Sequence, residues 1–199
     1  MSNPRKYLDQ LFISKVRIKA IKHFFMNPDQ PIHLRAAVRE LNEEINAVRR
    51  ELTRMEEIKL LIAEKRGNRK YFRLNPDFLY YDDLLGMVHK TFGLGGEIVS
   101  SASKLGEVQF ALLSQGYVWG EYFGTHVIDL VVVGKGIDMS VLDEIVSREE
   151  KKSHRNIHYT VLSTTDYELH KRRKDQFLLE LMAQNKVMLV GRSADFVKP

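Results

Sequence analysis

The sequence predicts an α+β protein of two domains: a basic, helical N-terminal half that ends in a short hairpin, and a near-neutral C-terminal half in which strands and helices alternate. Three observations predict it. Apolar residues recur at helical spacing up to Met55 and then give way to short runs on either side of Gly67-Asn68. Residues 1–90 hold 18 Lys and Arg against 12 Asp and Glu, a net of +6, whereas residues 91–199 hold 13 against 14, a net of −1. Beyond the glycine-dense Gly93-Leu94-Gly95-Gly96, three strand-like apolar runs have helical patterns between and after them. A chain of 199 residues has room for two domains of about 100 residues, each with its own core.

Ile13, Val16, Ala20, Ile21, Phe24 and Phe25 carry the spacing of a first helix with a buried stripe, and Lys15, Arg17, Lys19 and Lys22 lie between them. Pro28 and Pro31 end it. Leu34, Val38 and Leu41 mark a second, short helix, and Ile45, Val48, Leu52 and Met55 begin a third after only a few residues. A connection that short makes the two helices cross, and helix-turn-helix is the compact solution. On the third helix Asn46, Arg49, Arg50 and Thr53 recur at spacings of three and four, which groups them on one exposed surface. Arginine bridges guanine edges bidentately and asparagine does the same on adenine, so this face has the chemistry to read bases in a major groove. Arg54, one turn beyond Arg50, is placed for a phosphate. The competing reading is a salt-bridge ladder, because Glu43, Glu44, Glu51, Glu56 and Glu57 share the helix region.

Ile58-Lys59-Leu60-Leu61-Ile62 reads as a strand and Tyr71-Phe72-Arg73-Leu74 as its return, joined through Gly67-Asn68, two residues that tolerate positive φ. Around that turn stand Lys65, Arg66, Arg69 and Lys70. Four cations on a hairpin tip repel one another unless an anion is near, and a phosphate or a minor groove would supply it. The bland alternative is an exposed loop. Basic charge confined to one half is also what neutralising a phosphate backbone requires, so double-stranded DNA is the expected partner. Pro76 then breaks the strand, and Leu84, Leu85 and Val88 suggest a further helix to about Phe92.

Over roughly residues 10–78 this half resembles the winged helix-turn-helix domains of bacterial transcriptional regulators, most clearly in Asn46-Ala47-Val48-Arg49-Arg50-Glu51-Leu52 followed by Met55-Glu56-Glu57-Ile58-Lys59-Leu60-Leu61. The resemblance implies sequence-specific DNA binding by a homodimer on two half-sites. The residues expected to meet DNA are Asn46, Arg49, Arg50, Thr53 and Arg54 on the helix, and Lys65, Arg66, Asn68, Arg69 and Lys70 on the hairpin. The winged-helix domain is expected over residues 1–92, a linker or helical junction over 93–106, and a second domain over 107–199.

In the second half Val108–Leu113, Val127–Val133 and Ile157–Leu162 are strand candidates, while Val141–Glu150 and Thr165–Asn185 read as helical. Thr165 and Glu168 have capping-box spacing. The order of features from Val108 to Gly191 resembles the small nucleotidyltransferase domain of the DNA polymerase β superfamily. The pieces that carry the likeness are Gly120-Glu121, Ile128-Asp129-Leu130-Val131-Val132-Val133-Gly134, Tyr159-Thr160-Val161-Leu162-Ser163 and Val187-Met188-Leu189-Val190-Gly191. The resemblance implies a Gly-Ser pair for triphosphate and two carboxylates one residue apart for divalent metal. This chain departs at both places. It has Gln115-Gly116 for the first, and Val127 with Asp129 for the second; Trp119 stands where an arginine is common, and His158 where a further carboxylate could be offered. One aspartate cannot supply the several oxygens that bridge paired ions, which implies a catalytically inactive copy, neither binding metal nor using a cofactor. Tyr117, Trp119, Glu121 and Asp129 are the expected lining of a vestigial pocket for a nucleotide or other small-molecule effector. The alternative is that Asp129 caps backbone and Trp119 fills a core.

The chain contains no cysteine, which excludes disulfides, thiolate metal sites and cysteine nucleophiles. No apolar run approaches the roughly 20 residues that span a membrane, and the start, Met1-Ser2-Asn3-Pro4-Arg5-Lys6, carries no signal-peptide core, so a soluble, cytoplasmic protein without a membrane partner is expected. Lys171-Arg172-Arg173-Lys174 reads as a solvated helix face. The leading expectation is a transcriptional regulator. An active nucleotidyltransferase using Glu121 and Asp129 as an unorthodox metal pair, and an antitoxin-like interaction protein, are the alternatives.

Overall fold

A computed structural model describes residues 3–120 and 127–198. It shows a mixed α+β structure that divides into two units, Lys6–Val88 and the chain from His89 onward. The division falls ahead of Gly93–Gly96, the glycines that sequence reasoning takes for the boundary.

Pro4, whose missing N–H costs nothing in a first helical turn, opens α1 (Pro4–Leu11), an element the apolar pattern does not reveal. Ser14 caps α2 (Lys15–Met26), its hydroxyl accepting from the Arg17 amide at 3.2 Å. That cap puts Ile13 outside the helix and fully exposed, while Ile18, Ala20, Ile21, Phe24 and Phe25 form the buried face. The two-residue strand β1 (Ile32–His33) leads into α3 (Leu34–Leu41), whose N-terminus is capped by the His33 ring. Asn42 then adopts φ 49°, the left-handed conformation that stops a helix and that asparagine tolerates. After this turn α4 (Ile45–Glu57) begins, and it buries Val48, Leu52 and Met55.

The strand expected from Ile58 starts later. Ile58 caps α4, Lys59 turns the chain at φ 65°, and β2 (Leu61–Arg66) follows. Gly67 and Asn68 return it into β3 (Arg69–Leu74), with the positive φ on Gly67 alone, as a II′ hairpin requires. Strand order in this antiparallel sheet is β1-β3-β2. Helix α5 (Tyr81–Thr91) buries Leu85 and Val88.

The glycine-dense stretch is itself helical, as α6 (Gly93–Ser101), with Leu94, Gly95, Gly96 and Ile98 buried. A Cβ on Gly95 would lie 2.1 Å from the His89 carbonyl oxygen, so close packing of backbone, and not linker freedom, accounts for that glycine. Strand β4 (Glu107–Ser114) leads into α7 (Gln115–Trp119), capped by the Ser114 hydroxyl. Then come β5 (Leu130–Lys135), α8 (Met139–Ser153) and β6 (Tyr159–Ser163). The helical region expected over Thr165–Asn185 is two helices, α9 (Thr164–Arg172) and α10 (Gln176–Ala183), separated where Lys174 takes φ 53° and Asp175 caps the next start. The cap of α9 is Ser163, whose hydroxyl accepts from the Asp166 amide at 3.0 Å and donates to its carboxylate at 2.6 Å, so the expected Thr165–Glu168 capping box is displaced. β7 (Lys186–Val190) and α11 (Ser193–Val197) complete the described chain.

The second sheet has the order β6-β5-β4-β7; β5 pairs parallel with β6 and antiparallel with β4, which pairs antiparallel with β7. β5 is apolar and buried along Leu130–Val133, as a strand covered on both faces must be. Phe110, Val131, Tyr167, Leu178 and Phe196 fill one core cluster, in which the Tyr167 hydroxyl donates to the Phe196 carbonyl at 2.6 Å. Among the described residues no helix is long and apolar enough to cross a membrane.

Candidate functional site

Glu44 sets the start of α4. Its carboxylate accepts from the Asn46 and Ala47 amides at 2.8 and 2.9 Å, and these bonds hold it below the usual carboxylate range, with smaller contributions from Arg50 and Arg49. Three further acids of this region are also engaged, while Glu57 is exposed and makes no ion pair among the described residues. Glu43 takes Lys19 at 2.6 Å, Glu51 takes Arg17 at 2.8 Å, and Glu56 takes Lys70 at 2.5 Å. The salt-bridge ladder considered from the sequence reduces on α4 to Arg54 and Glu51, 3.5 Å apart. Asn46, Arg49, Arg50, Thr53 and Arg54 are all exposed. Arg49 Nη1 donates to Asn46 Oδ1 at 2.8 Å, so these two side chains act as one polar unit, while Arg50 makes no hydrogen bond or ion pair among the described residues.

Two residues that sequence reasoning took only as spacing on α2 position this face. Glu51 is buried on the inner side of α4 with its side chain 7% exposed, and Arg17 reaches it from α2. Lys19 joins α2 to the turn before α4 through Glu43 and the Leu41 carbonyl. Arg17 and Glu51 lie 34 residues apart, beyond any helical periodicity, so no local signal pairs them.

On the hairpin the register places Lys65 directly opposite Lys70 and Arg66 directly opposite Arg69. Like charges facing one another across two strands are destabilising in isolation. Arg66 is relieved by Glu64 at 2.9 Å and lies over the Tyr71 ring; Lys70 is relieved by Glu56 and lies over the Phe72 ring. Lys65 and Arg69 make no ion pair among the described residues, and both are exposed, as is Asn68 at the turn. The hairpin thus offers two uncompensated cations, one from each strand, which belong to adjacent cross-strand pairs and so lie on opposite faces of it.

In the second unit Asp129 stands just ahead of β5, with its side chain 1% exposed. Arg155 Nη2 donates to its Oδ1 at 2.8 Å and the His158 amide to its Oδ2 at 2.8 Å. The same guanidinium donates to the Tyr117 carbonyl at 3.4 Å and lies over the Tyr117 ring, 4.8 Å from its centroid. The Tyr117 ring in turn meets the edge of His89, which is buried; burial, with Arg155 adding to it, pushes His89 down to about 4. Of the residues expected to line a vestigial pocket, Tyr117 and Asp129 are therefore joined through Arg155, which sequence reasoning did not single out. Trp119 is half-buried at the end of α7, and Glu121 lies outside the described residues. The His158 ring is largely exposed, and it is the His158 backbone that holds the aspartate.

This arrangement does not fit a divalent metal of the kind the nucleotidyltransferase resemblance implies. Both Asp129 oxygens face hydrogen-bond donors, one of them a guanidinium, and Val127 offers no second carboxylate. Among the described residues no three His, Asp or Glu side chains gather as metal ligands would. Of the basic run at the end of α9, Lys171 pairs with Glu168 at 3.9 Å and lies over the Tyr167 ring, and Arg172, Arg173 and Lys174 are exposed.

No family model matches the chain, and no curated protein is significantly similar to it. Among solved structures, human N-acetylserotonin methyltransferase in complex with SAM aligns over 59% of this chain and 36% of its own length, at 14% identity and a TM-score of 0.31. This chain thus spans about a third of that one, and a likeness of that size carries no argument about chemistry.

Proposed function

We propose that Lys6–Val88 is a winged helix-turn-helix that binds double-stranded DNA sequence-specifically, and that the protein is a transcriptional regulator acting as a homodimer. The observation that carries this reading is the hairpin register. Two opposed pairs of cations, with Lys65 and Arg69 uncompensated, suit a strand pair that meets phosphates. The helix following the tight turn at Asn42 presents Arg49, Arg50, Asn46 and Thr53 outward, and Glu43, Glu44, Glu51 and Glu56 beside them are engaged by α2, the helix cap, Arg54 or the hairpin. Base reading then falls to α4, and charge neutralisation to the hairpin and Arg54.

The second unit is read as a nucleotidyltransferase-like domain without catalytic function, used for dimerisation or for sensing an effector. Its strands β4, β5, β6 and β7, with α8, α9 and α10 between them, are in keeping with the order of features on which the resemblance rests, and the engagement of Asp129 by Arg155 supports inactivity. The test is selection of sites from random duplex DNA at near-physiological salt, with the wild type beside R49A/R50A. One motif enriched by the wild type and lost by the variant supports the reading; the absence of any enriched motif overturns it.

A further inference from the structure

Apart from the α4 face and the hairpin tip, the first unit holds a cavity of about 290 Å³ formed by the α2–β1 connection, the end of β3 and the start of α5. Three of its lining residues are prolines, Pro28, Pro31 and Pro76, whose fixed φ angles leave the walls little freedom to collapse. Its apolar surface comes from Leu74, which is buried, and from Tyr81, whose ring packs on Phe25 with centroids 5.4 Å apart. The remaining two lining residues carry opposite charges, Asp29 and Arg73.

Neither charge is fully matched within the protein. Asp29 is exposed and makes no hydrogen bond or ion pair among the described residues. Arg73 donates from Nε to Glu64 Oε1 at 3.3 Å and from Nη1 to the Leu74 carbonyl at 3.3 Å, both long for bonds to a guanidinium, and its Nη2 has no partner among the described residues. A preformed apolar cavity with one unmatched acceptor and one under-used donor has the composition of a small-molecule site, and its volume is at the low end for such sites.

We propose that this cavity binds a small zwitterion of the α-amino acid class with an apolar side chain. Its ammonium meets Asp29, its carboxylate meets Arg73, and its side chain lies on Leu74, Tyr81 and the prolines. A ligand of single charge would leave either Asp29 or Arg73 unmatched, which is the reason for a zwitterion. The site has a route to the hairpin. Glu64 is shared by Arg73, at 3.3 Å, and Arg66, at 2.9 Å, so a ligand carboxylate that draws Arg73 away leaves Glu64 to Arg66 alone. Ligand binding therefore ties down a hairpin cation, and on the DNA-binding reading it weakens the contact with phosphate. Binding itself does not rest on that reading.

The test titrates the full-length, ¹⁵N-labelled protein, without DNA, with L-leucine and L-phenylalanine. Parallel titrations use 4-methylpentanoate, which lacks the ammonium, and isoamylamine, which lacks the carboxylate. One of the amino acids is expected to shift the Leu74 and Tyr81 amides saturably in the millimolar range or below, with both single-charge analogues about tenfold weaker or worse. D29N, which alters an exposed side chain without a partner, should weaken the amino acid by a similar factor at unchanged melting temperature. Failure of both amino acids to saturate, equal affinity for an analogue lacking either charge, or an unaltered affinity in D29N overturns the proposal. Because the readout needs no DNA, its failure is distinct from failure of the DNA-binding reading.

Discussion

Arg155 donates to the buried Asp129 carboxylate at 2.8 Å across 26 residues of sequence, and the ends of α7, β5 and β6 meet at this contact. Removing one partner of such a pair leaves the other buried with its charge uncompensated. Arg155→Ala should destabilise the second unit by about 2–3 kcal/mol, at the lower end for buried pairs because the guanidinium is 39% exposed. Urea unfolding checks this, and adding Asp129→Asn should restore part of the loss. A double variant no more stable than Arg155→Ala alone would show that charge is not what the pair balances.

His89 makes the second unit sensitive to mild acid. Burial, with Arg155 contributing, lowers the ring from the usual 6.5 to about 4, so the folded form keeps it neutral while the unfolded form takes up a proton near 6.5. The stability this neutrality contributes is fully present above pH 6.5 and is lost as pH falls toward 4, by at most about 3 kcal/mol. His89→Gln should flatten the stability profile between those values. A profile with the same slope as the wild type would place the acid sensitivity elsewhere.

The α4 face and the hairpin should fail in different ways. Arg49→Ala or Arg50→Ala is expected to cost about 1–3 kcal/mol on the selected site and to relax the base preference. Lys65→Ala and Arg69→Ala should weaken all sequences alike and reduce the salt dependence by about one unit of slope each. Binding isotherms at several salt concentrations separate the two classes, and a uniform loss from all four variants would remove the assignment of base reading to α4.

Glu51 connects stability to the same face. Its side chain is 7% exposed and accepts from Arg17 on α2, so Glu51→Ala should destabilise the first unit by about 1–3 kcal/mol. Thermal unfolding measures this, and the base preference of the folded fraction should stay unchanged. A changed preference at full stability would make Glu51 part of the reading face itself.

The helices of the first half were legible because Ala20, Ile21, Phe24, Val48, Leu52 and Met55 repeat within one or two turns, a distance over which spacing reports burial. Ile13 misled by the same rule, since Ser14 starts the helix after it. The strand start at Leu61 was missed because apolar Ile58 and Leu60 flank Lys59, whose positive φ has no strong sequence signal. Gly93–Gly96 looked like a linker by composition, but the absence of Cβ atoms there allows backbone to approach backbone.

By itself the sequence determined the α+β class, the order of most elements, the confinement of basic charge to the first half and the presence of Val127 rather than a carboxylate two residues before Asp129. These are properties of composition and of neighbours a few residues apart. Only the tertiary structure decided which charges are matched. It set Lys65 against Lys70, buried Glu51 under Arg17, brought Arg155 to Asp129, and placed Asp29 and Arg73 on the lining of one cavity. Each of these depends on strand register or on side chains distant in sequence being brought together, and pairing across such distances leaves no period for a sequence to display.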